Sequence, residues 1–256
     1  MKRFWVAIVA VFGVLLTACG RGSTGSTPEA KTLTVFAAAS LTESFTELGK
    51  KFETDNPGVT VKFNFGASSD LAQQIVNGGP ADLFAAASPA TMKTVTDKAL
   101  GDGTPVDFVT NELQIVTAPG NPKGIKTFAD LANPAIKVVV CAPQVPCGAA
   151  ELAVEKATGV DIKPVSEEPD VKSTLGKVTT GNADAGLVYV TDVLAANKAK
   201  PTVDGVSFPE AKQALNKYPI VVIKNAPQAD LARKFLELVR SEAGKKVLQA
   251  AGFVVT

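Results

Sequence analysis

The chain has 256 residues, with 26 Lys plus Arg against 25 Asp plus Glu, so its formal net charge is +1. Hydrophobic residues make up 46% and charged residues 20%, which excludes disorder over most of the length and leaves one large domain or two modest ones. A balanced charge gives no general attraction for nucleic acid, and the complete absence of His removes His-based acid/base catalysis, Ser-His-Asp and Cys-His nucleophile systems and every His metal site.

Lys2 and Arg3 are followed by an uncharged stretch, residues 4–18. As a helix it would reach about 22 Å, short of the roughly 30 Å core of a bilayer, so residues 1–18 read as a secretory signal. The stretch ends in Leu16-Thr17-Ala18-Cys19-Gly20, which resembles a bacterial lipobox, where the Cys takes a diacylglycerol thioether and becomes the new N-terminus. Residues 19–31 are rich in Gly, Ser and Thr and read as a flexible tether with a reach of about 20 Å. The expected location is therefore the outer face of the cell membrane, through a lipid on Cys19. Removal of the signal would also remove Trp5, the chain's one Trp.

From Lys31 strands and helices alternate. Residues 33–37 form an apolar run that fits a buried strand, and Leu41, Phe45, Leu48 and Phe52 then fall on one face of a helix. Val59, Val61, Phe63 and Phe65 alternate with polar residues at strand period. Leu71, Ile75 and Val76 mark a second helix closed by Gly78-Gly79-Pro80. Further strands are expected over 83–87, 138–141, 186–189 and 219–223, with helices over 90–100, 149–157, 170–181, 191–196, 229–240 and 242–251. This alternation predicts an α/β fold with mainly parallel sheets. One strand set ends near Ser88, and the apolar stretch 113–118 opens another. The last two helices have no later strand to cover and need the first set. Two domains are therefore expected, residues 32–113 with 218–256 and residues 114–217, joined by two crossover strands with a cleft between.

Cys141 and Cys147 are the thiols left once Cys19 is acylated. Outside the cytoplasm such a pair usually bonds, and the chain-entropy model gives about 2.4 kcal/mol for so small a loop. Two free buried thiols are the other reading, and the spacing is not that of a C-x-x-C redox motif.

The strand-to-helix junctions carry the functional signal. Ala37-Ala38-Ala39-Ser40, Gly66-Ala67-Ser68-Ser69, Val145-Pro146-Cys147-Gly148 and Glu168-Pro169-Asp170-Val171 each put small or flexible residues where a helix begins. A helix N-terminus offers unpaired N–H donors and about half a positive charge, so several converging on one cleft make an anion site without Lys or Arg. Each is also what an ordinary N-cap looks like, and Ser40-Leu41-Thr42-Glu43 has the S-x-x-E form of a capping box.

Val35-Phe36-Ala37-Ala38-Ala39-Ser40-Leu41-Thr42, Gly79-Pro80-Ala81-Asp82-Leu83-Phe84-Ala85 and Ala185-Gly186-Leu187-Val188-Tyr189 closely resemble the molybdate-binding proteins of ABC importers, the ModA family, and Tyr218-Pro219-Ile220 and Ala251-Gly252-Phe253 fit as well. The resemblance implies a two-domain, periplasmic-binding-protein-like fold of type II that closes on a dehydrated tetrahedral oxyanion, molybdate or tungstate. It implies a monomer that hands its ligand to the permease and ATPase of an ABC importer, with no cofactor, no catalysis and no molybdenum other than that of the oxyanion. Position by position, it implies donation from the hydroxyl and N–H of Ser40, from Ser68 with Ser69 as the alternate if the register slips, from the backbone N–H groups of Cys147 and Val171, and from the Tyr189 hydroxyl. Cys147 departs from the usual Ala of that turn, but a main-chain contact survives the change. Asp82 and Asp192 are expected as caps or anchors, since a carboxylate repels a dianion.

A buried dianion needs every oxygen satisfied, and hydrogen bonds to a charged group contribute about 1.5–3 kcal/mol each. Five to seven of them, less the costs of association and closure, support micromolar or tighter binding. Sulfate or phosphate is the alternative ligand. An iron(III) binder would want a pair of tyrosinates, and Tyr189 and Tyr218 are the only two Tyr, 29 residues apart.

Overall fold

The computed structural model describes residues 31–256, so the signal, Cys19 and the tether up to residue 30 lie outside the described residues. Two sheets organise the chain. The first contains β1 (Lys31–Ala38), β2 (Val59–Gly66), β3 (Leu83–Ala85), β4 (Gly101–Asn111), β10 (Asn216–Ile223) and β11 (Val254–Val255), in the order β11-β4-β10-β3-β1-β2. The second contains β5 (Leu113–Thr117), β6 (Val138–Cys141), β7 (Ser166–Glu168), β8 (Ala185–Tyr189) and β9 (Asp204–Val206), in the order β7-β6-β8-β5-β9.

The apolar runs read as buried strands do cross the middle of the first sheet, and their period-two alternation feeds two cores. Leu33, Val35, Leu83, Ala85, Tyr218, Ile220 and Val222 face one side, while Phe36, Phe84, Val221 and Ile223 face the other. The first side is covered by α1 (Thr42–Asp55), α7 (Ala229–Arg240) and α8 (Glu242–Ala250), through Phe45, Leu48, Phe235, Val239 and Leu248. The second is covered by α2 (Ser68–Val76) and α3 (Pro89–Thr96), through Leu71, Ile75, Met92 and Val95. Strands buried on both faces need continuous apolar sequence, which is why they were readable. The second sheet has its own core with α4 (Pro146–Thr158), α5 (Val171–Thr179) and α6 (Val190–Asn197). No helix among the described residues is long and apolar enough to cross a membrane.

The sheets are parallel only in part. β2, β1 and β3 run parallel, as do β7, β6 and β8, but β10, β4 and β11 add antiparallel pairings to the first sheet and β5 and β9 to the second. The cause is the crossover. The chain leaves the first sheet at Asn111 and enters the second at Leu113, with only Glu112 between β4 and β5 and no helix to force a parallel return. It comes back between Val206 and Asn216. Leu113 thus pairs with Tyr189 in the second sheet, whereas Asn216 and Lys217 pair with Asn111 and Thr110 in the first. The final helices are followed by a short strand, β11, that zips onto β4.

Candidate functional site

Five segments that leave the carboxyl ends of parallel strands meet between the sheets. β1 runs into a 3-10 turn, Ala39–Leu41, before α1, and β2 runs through Ala67 into α2. β6 leads to α4, β7 through Asp170 to α5, and β8 directly into α6. Open α/β sheets place ligands outside this edge, and here two such edges face one another. The cavity between them is lined by Ser40 and Ser68 from the first side and by Cys147, Val171 and Tyr189 from the second, so all five residues singled out from the resemblance share one wall. Ser69 is not on it; its hydroxyl is buried in the first turn of α2 without a partner.

The cavity is small, about 20 Å³ as the room for the centres of water-sized spheres. A sphere of that volume widened by a water radius is about 3 Å in radius, the scale of one four-oxygen anion and too tight for an organic substrate.

Some helices elsewhere carry side-chain caps, Ser88 accepting from the Thr91 N–H and Ser241 from the Gly244 N–H, while α7, which follows Gln228, has none. The turn holding Ser40, α2 and α4 have none; the residues in the cap position are Ala38, Ala67 and Val145. First-turn N–H groups have no intrahelical acceptor, so these ends offer free donors to the cavity. At α5 the Asp170 carboxylate takes the Ser173 N–H at 2.8 Å, which leaves the Val171 position free. Asp170 is the only charged residue on the wall, and no Lys or Arg lines it.

The capping box expected at Ser40-Leu41-Thr42-Glu43 does not form. Ser40 lies inside the 3-10 turn, and its hydroxyl is 2.8 Å from the Tyr218 hydroxyl. Glu43 instead pairs with Lys172 at 2.9 Å, across from the second side. The Ser68 hydroxyl accepts the Ala87 N–H at 3.0 Å, so its own proton is free to donate elsewhere. The Tyr189 hydroxyl is fully buried and has no protein partner. Burial pushes the Tyr189 phenol well above its ordinary range and raises that of Tyr218 too, so both stay protonated at neutral pH. The two rings do come together, with centroids 6.3 Å apart. Protonated hydroxyls suit hydrogen-bond donation to an anion.

At the α4 junction Cys141 and Cys147 are joined in a disulfide, with Cα atoms 5.7 Å apart. The same junction needs Gly148, because a Cβ there would run into the carbonyl oxygens of Ala142 and Cys141. Strand end and helix start are thus held by a covalent bond and a close backbone approach. The two buried aspartates are anchors: Asp82 accepts the Thr34 and Gln228 N–H groups at 2.8 and 2.9 Å, and Asp192 accepts the Tyr189 N–H at 3.1 Å. Burial raises the Asp192 pKa, and Lys172 at 3.1 Å offsets part of that rise.

Three contributors were not assigned from sequence. Ala87 holds Ser68, Asn111 reaches Tyr218 and Thr191, and Asn216 donates to the Ala87 carbonyl at 2.8 Å and lies 3.5 Å from that of Pro146 on the other side. Asn111 and Asn216 sit on the crossover strands, where Asn is otherwise uncommon, and that was the one available signal.

The family model described as "Bacterial extracellular solute-binding protein" matches residues 33–254. The molybdate-binding protein ModA of Mycobacterium tuberculosis is 48% identical over 93% of this chain and 92% of its own length. A putative ABC transporter substrate-binding lipoprotein, YvgL of Bacillus subtilis, is 32% identical over 98% of both chains. The structure of the periplasmic molybdate-binding protein of Azotobacter vinelandii superposes with a TM-score of 0.77, covering 88% of this chain and 99% of that one at 21% identity, a likeness of fold.

Proposed function

We propose that this chain, which belongs to the ModA family of bacterial extracellular solute-binding proteins, captures molybdate in the cleft between its two sheets and delivers it to an ABC importer. The family is one of transport proteins outside the cytoplasm, not of enzymes. The observation that carries the ligand reading is the cavity wall: uncapped helix starts at Ser40, Ser68 and Cys147, the open first turn at Val171, and a buried Tyr189 hydroxyl without a partner, with no cation among them. Such a wall offers N–H and O–H donors, with the one carboxylate on it, Asp170, engaged by the Ser173 N–H, and is sized for one tetrahedral oxyanion. In this reading Ser40, Ser68 and Tyr189 donate through hydroxyls and Cys147 and Val171 through the main chain. Tungstate, with the same shape and charge, is the second ligand.

The same proposal includes closure of two domains, residues 32–113 with 218–256 against 114–217, and a monomer held at the membrane by a diacylglyceryl group on Cys19. The anchor rests on Leu16-Thr17-Ala18-Cys19-Gly20 and on the kinship with a lipoprotein. Cys19→Ala is expected to release the protein from the membrane fraction with its binding unchanged; retention after signal removal would contradict the anchor.

A ligand that binds only the folded state adds RT ln(1 + [L]/Kd), about 4 kcal/mol at a thousandfold excess over Kd. Molybdate and tungstate should each raise the melting temperature by several degrees, and equal sulfate or phosphate should not. A sulfate shift as large as that with molybdate would overturn the assignment.

A further inference from the structure

The Ser40 hydroxyl is not free to choose its role. Asn111 orients first: its side-chain oxygen accepts the Glu112 N–H at 3.0 Å, which turns the amide nitrogen inward. That nitrogen carries two protons and no acceptor. One goes to the Thr191 hydroxyl at 2.8 Å and the other points at the Tyr218 hydroxyl at 3.4 Å. The Tyr218 oxygen therefore accepts, and its single proton goes to the one other side chain within hydrogen-bond geometry, Ser40 Oγ at 2.8 Å. Ser40 Oγ then accepts in turn, which leaves its own proton with no acceptor among its protein neighbours and available to the cavity that Ser40 lines. The Tyr218 ring is fixed for this task by complete burial and by edge-on packing against Phe108, Tyr189 and Phe253.

We propose that Asn111 and Tyr218 are positioning residues for oxyanion capture: a one-way chain of hydrogen bonds, Asn111 to Tyr218 to Ser40, holds the Ser40 hydroxyl as a donor into the cleft. The inference rests on the molybdate reading above. Chains of this kind polarise each member, so Ser40 donates more strongly than an isolated serine. Both positioning residues lie on the crossover strands β4 and β10, and Asn111 also grips Thr191 at the start of α6. The donor is thus set by the same strands that connect the two sides of the cleft.

The test is a double-mutant cycle read by calorimetric titration of the exported protein with sodium molybdate, at a temperature where each apo variant is folded by circular dichroism. Tyr218→Phe keeps the ring and deletes the hydroxyl, and should weaken binding about 3- to 10-fold, the range of one neutral hydrogen bond. In a Ser40→Ala background the same change should cost less than about twofold, because its target is gone. Thr191→Val removes the other partner of Asn111 and should leave affinity within about twofold. Additive losses from Tyr218→Phe and Ser40→Ala, or a Thr191→Val loss as large as that of Tyr218→Phe, would overturn the relay.

A spectroscopic arm separates it from a structural effect. In Tyr189→Phe protein, Tyr218 is the one remaining Tyr, and Trp5 leaves with the signal. Saturating molybdate should shift the near-ultraviolet band of Tyr218, and adding Ser40→Ala should abolish the shift; a shift that survives would overturn the relay. Absence of molybdate binding by the unmutated protein would overturn the functional reading itself, an outcome distinct from additivity.

Discussion

Ser40 and Tyr189 reach the same cavity with opposite neighbourhoods. Ser40 is tied to Tyr218, whereas the Tyr189 hydroxyl touches no protein partner. Deleting either hydroxyl removes one charge-assisted bond, so Ser40→Ala and Tyr189→Phe should each weaken molybdate binding by about 1.5–3 kcal/mol, roughly 10- to 150-fold. Val171→Ala keeps its N–H and should change affinity little; a larger loss there than in Tyr189→Phe would refute the assignment of donors. Glu151 gives a test independent of ligand. It is buried in α4, and burial, with Glu155 and Glu167 nearby, pushes its carboxyl from 4.5 up to about 7. A raised folded pKa means that stability is fully present below pH 4.5 and lost as pH rises through about 7. Glu151→Gln should therefore raise the melting temperature at pH 8 and leave it nearly unchanged at pH 4.5; the reverse ordering would contradict the burial argument. That Ser40 and Tyr189 share one cavity wall was legible through the family motifs. The partner of Ser40 was not, because Tyr218 lies 178 residues away and only the fold brings the two hydroxyls together.

At the scale of elements, the anion-seeking feature is a set of helix starts left without side-chain caps. Their small-residue composition was visible in sequence, but the S-x-x-E form at Ser40 pointed to a local cap that the structure does not make. The inserted 3-10 turn moves Ser40 out of the cap position and leaves Glu43 to Lys172. Strands at the sheet centres were legible from continuous apolar runs. β4 was not, since Gly101, Gly103 and Pro105 interrupt it and much of its first half is exposed. The α4 junction carries its own prediction. Cys141→Ala and Cys147→Ala each break the same bond and keep every N–H, so both should lose about 2.4 kcal/mol of stability. Thermal melts and titrations of the two variants should coincide; a binding loss confined to Cys147→Ala would show that its side chain, not the disulfide, matters to the site.

Across the whole molecule, two sheets with separate cores meet at the cleft and are bridged by few polar contacts. Lys172 joins Glu43 of the first side at 2.9 Å and the fully buried Asp192 of the second at 3.1 Å. Burial lowers the Lys172 pKa, but Asp192 and Glu43 more than restore it. These two contacts differ in weight. The exposed Glu43 arm is worth about 0–1 kcal/mol and is screened by salt, whereas removing Lys172 strands a buried carboxylate at a cost of about 3–5 kcal/mol. Chemical denaturation of Glu43→Gln and Lys172→Met should show that ordering, and equal losses would contradict it. The two-sheet plan with a cleft was legible because strand sets separate along the chain. The antiparallel direction of the crossover strands and the bridging Asn111 and Asn216 were not, because their partners belong to distant segments. The central claim is that molybdate sits in this cleft on neutral donors alone. Anomalous diffraction at the molybdenum edge, from crystals of the exported protein grown with molybdate, tests it directly. The account predicts one molybdenum peak inside the cavity, with the hydroxyls of Ser40, Ser68 and Tyr189 and the N–H groups of Cys147 and Val171 within hydrogen-bond distance of its oxygens. A peak elsewhere, or an oxygen held by the Lys172 ammonium, would contradict it.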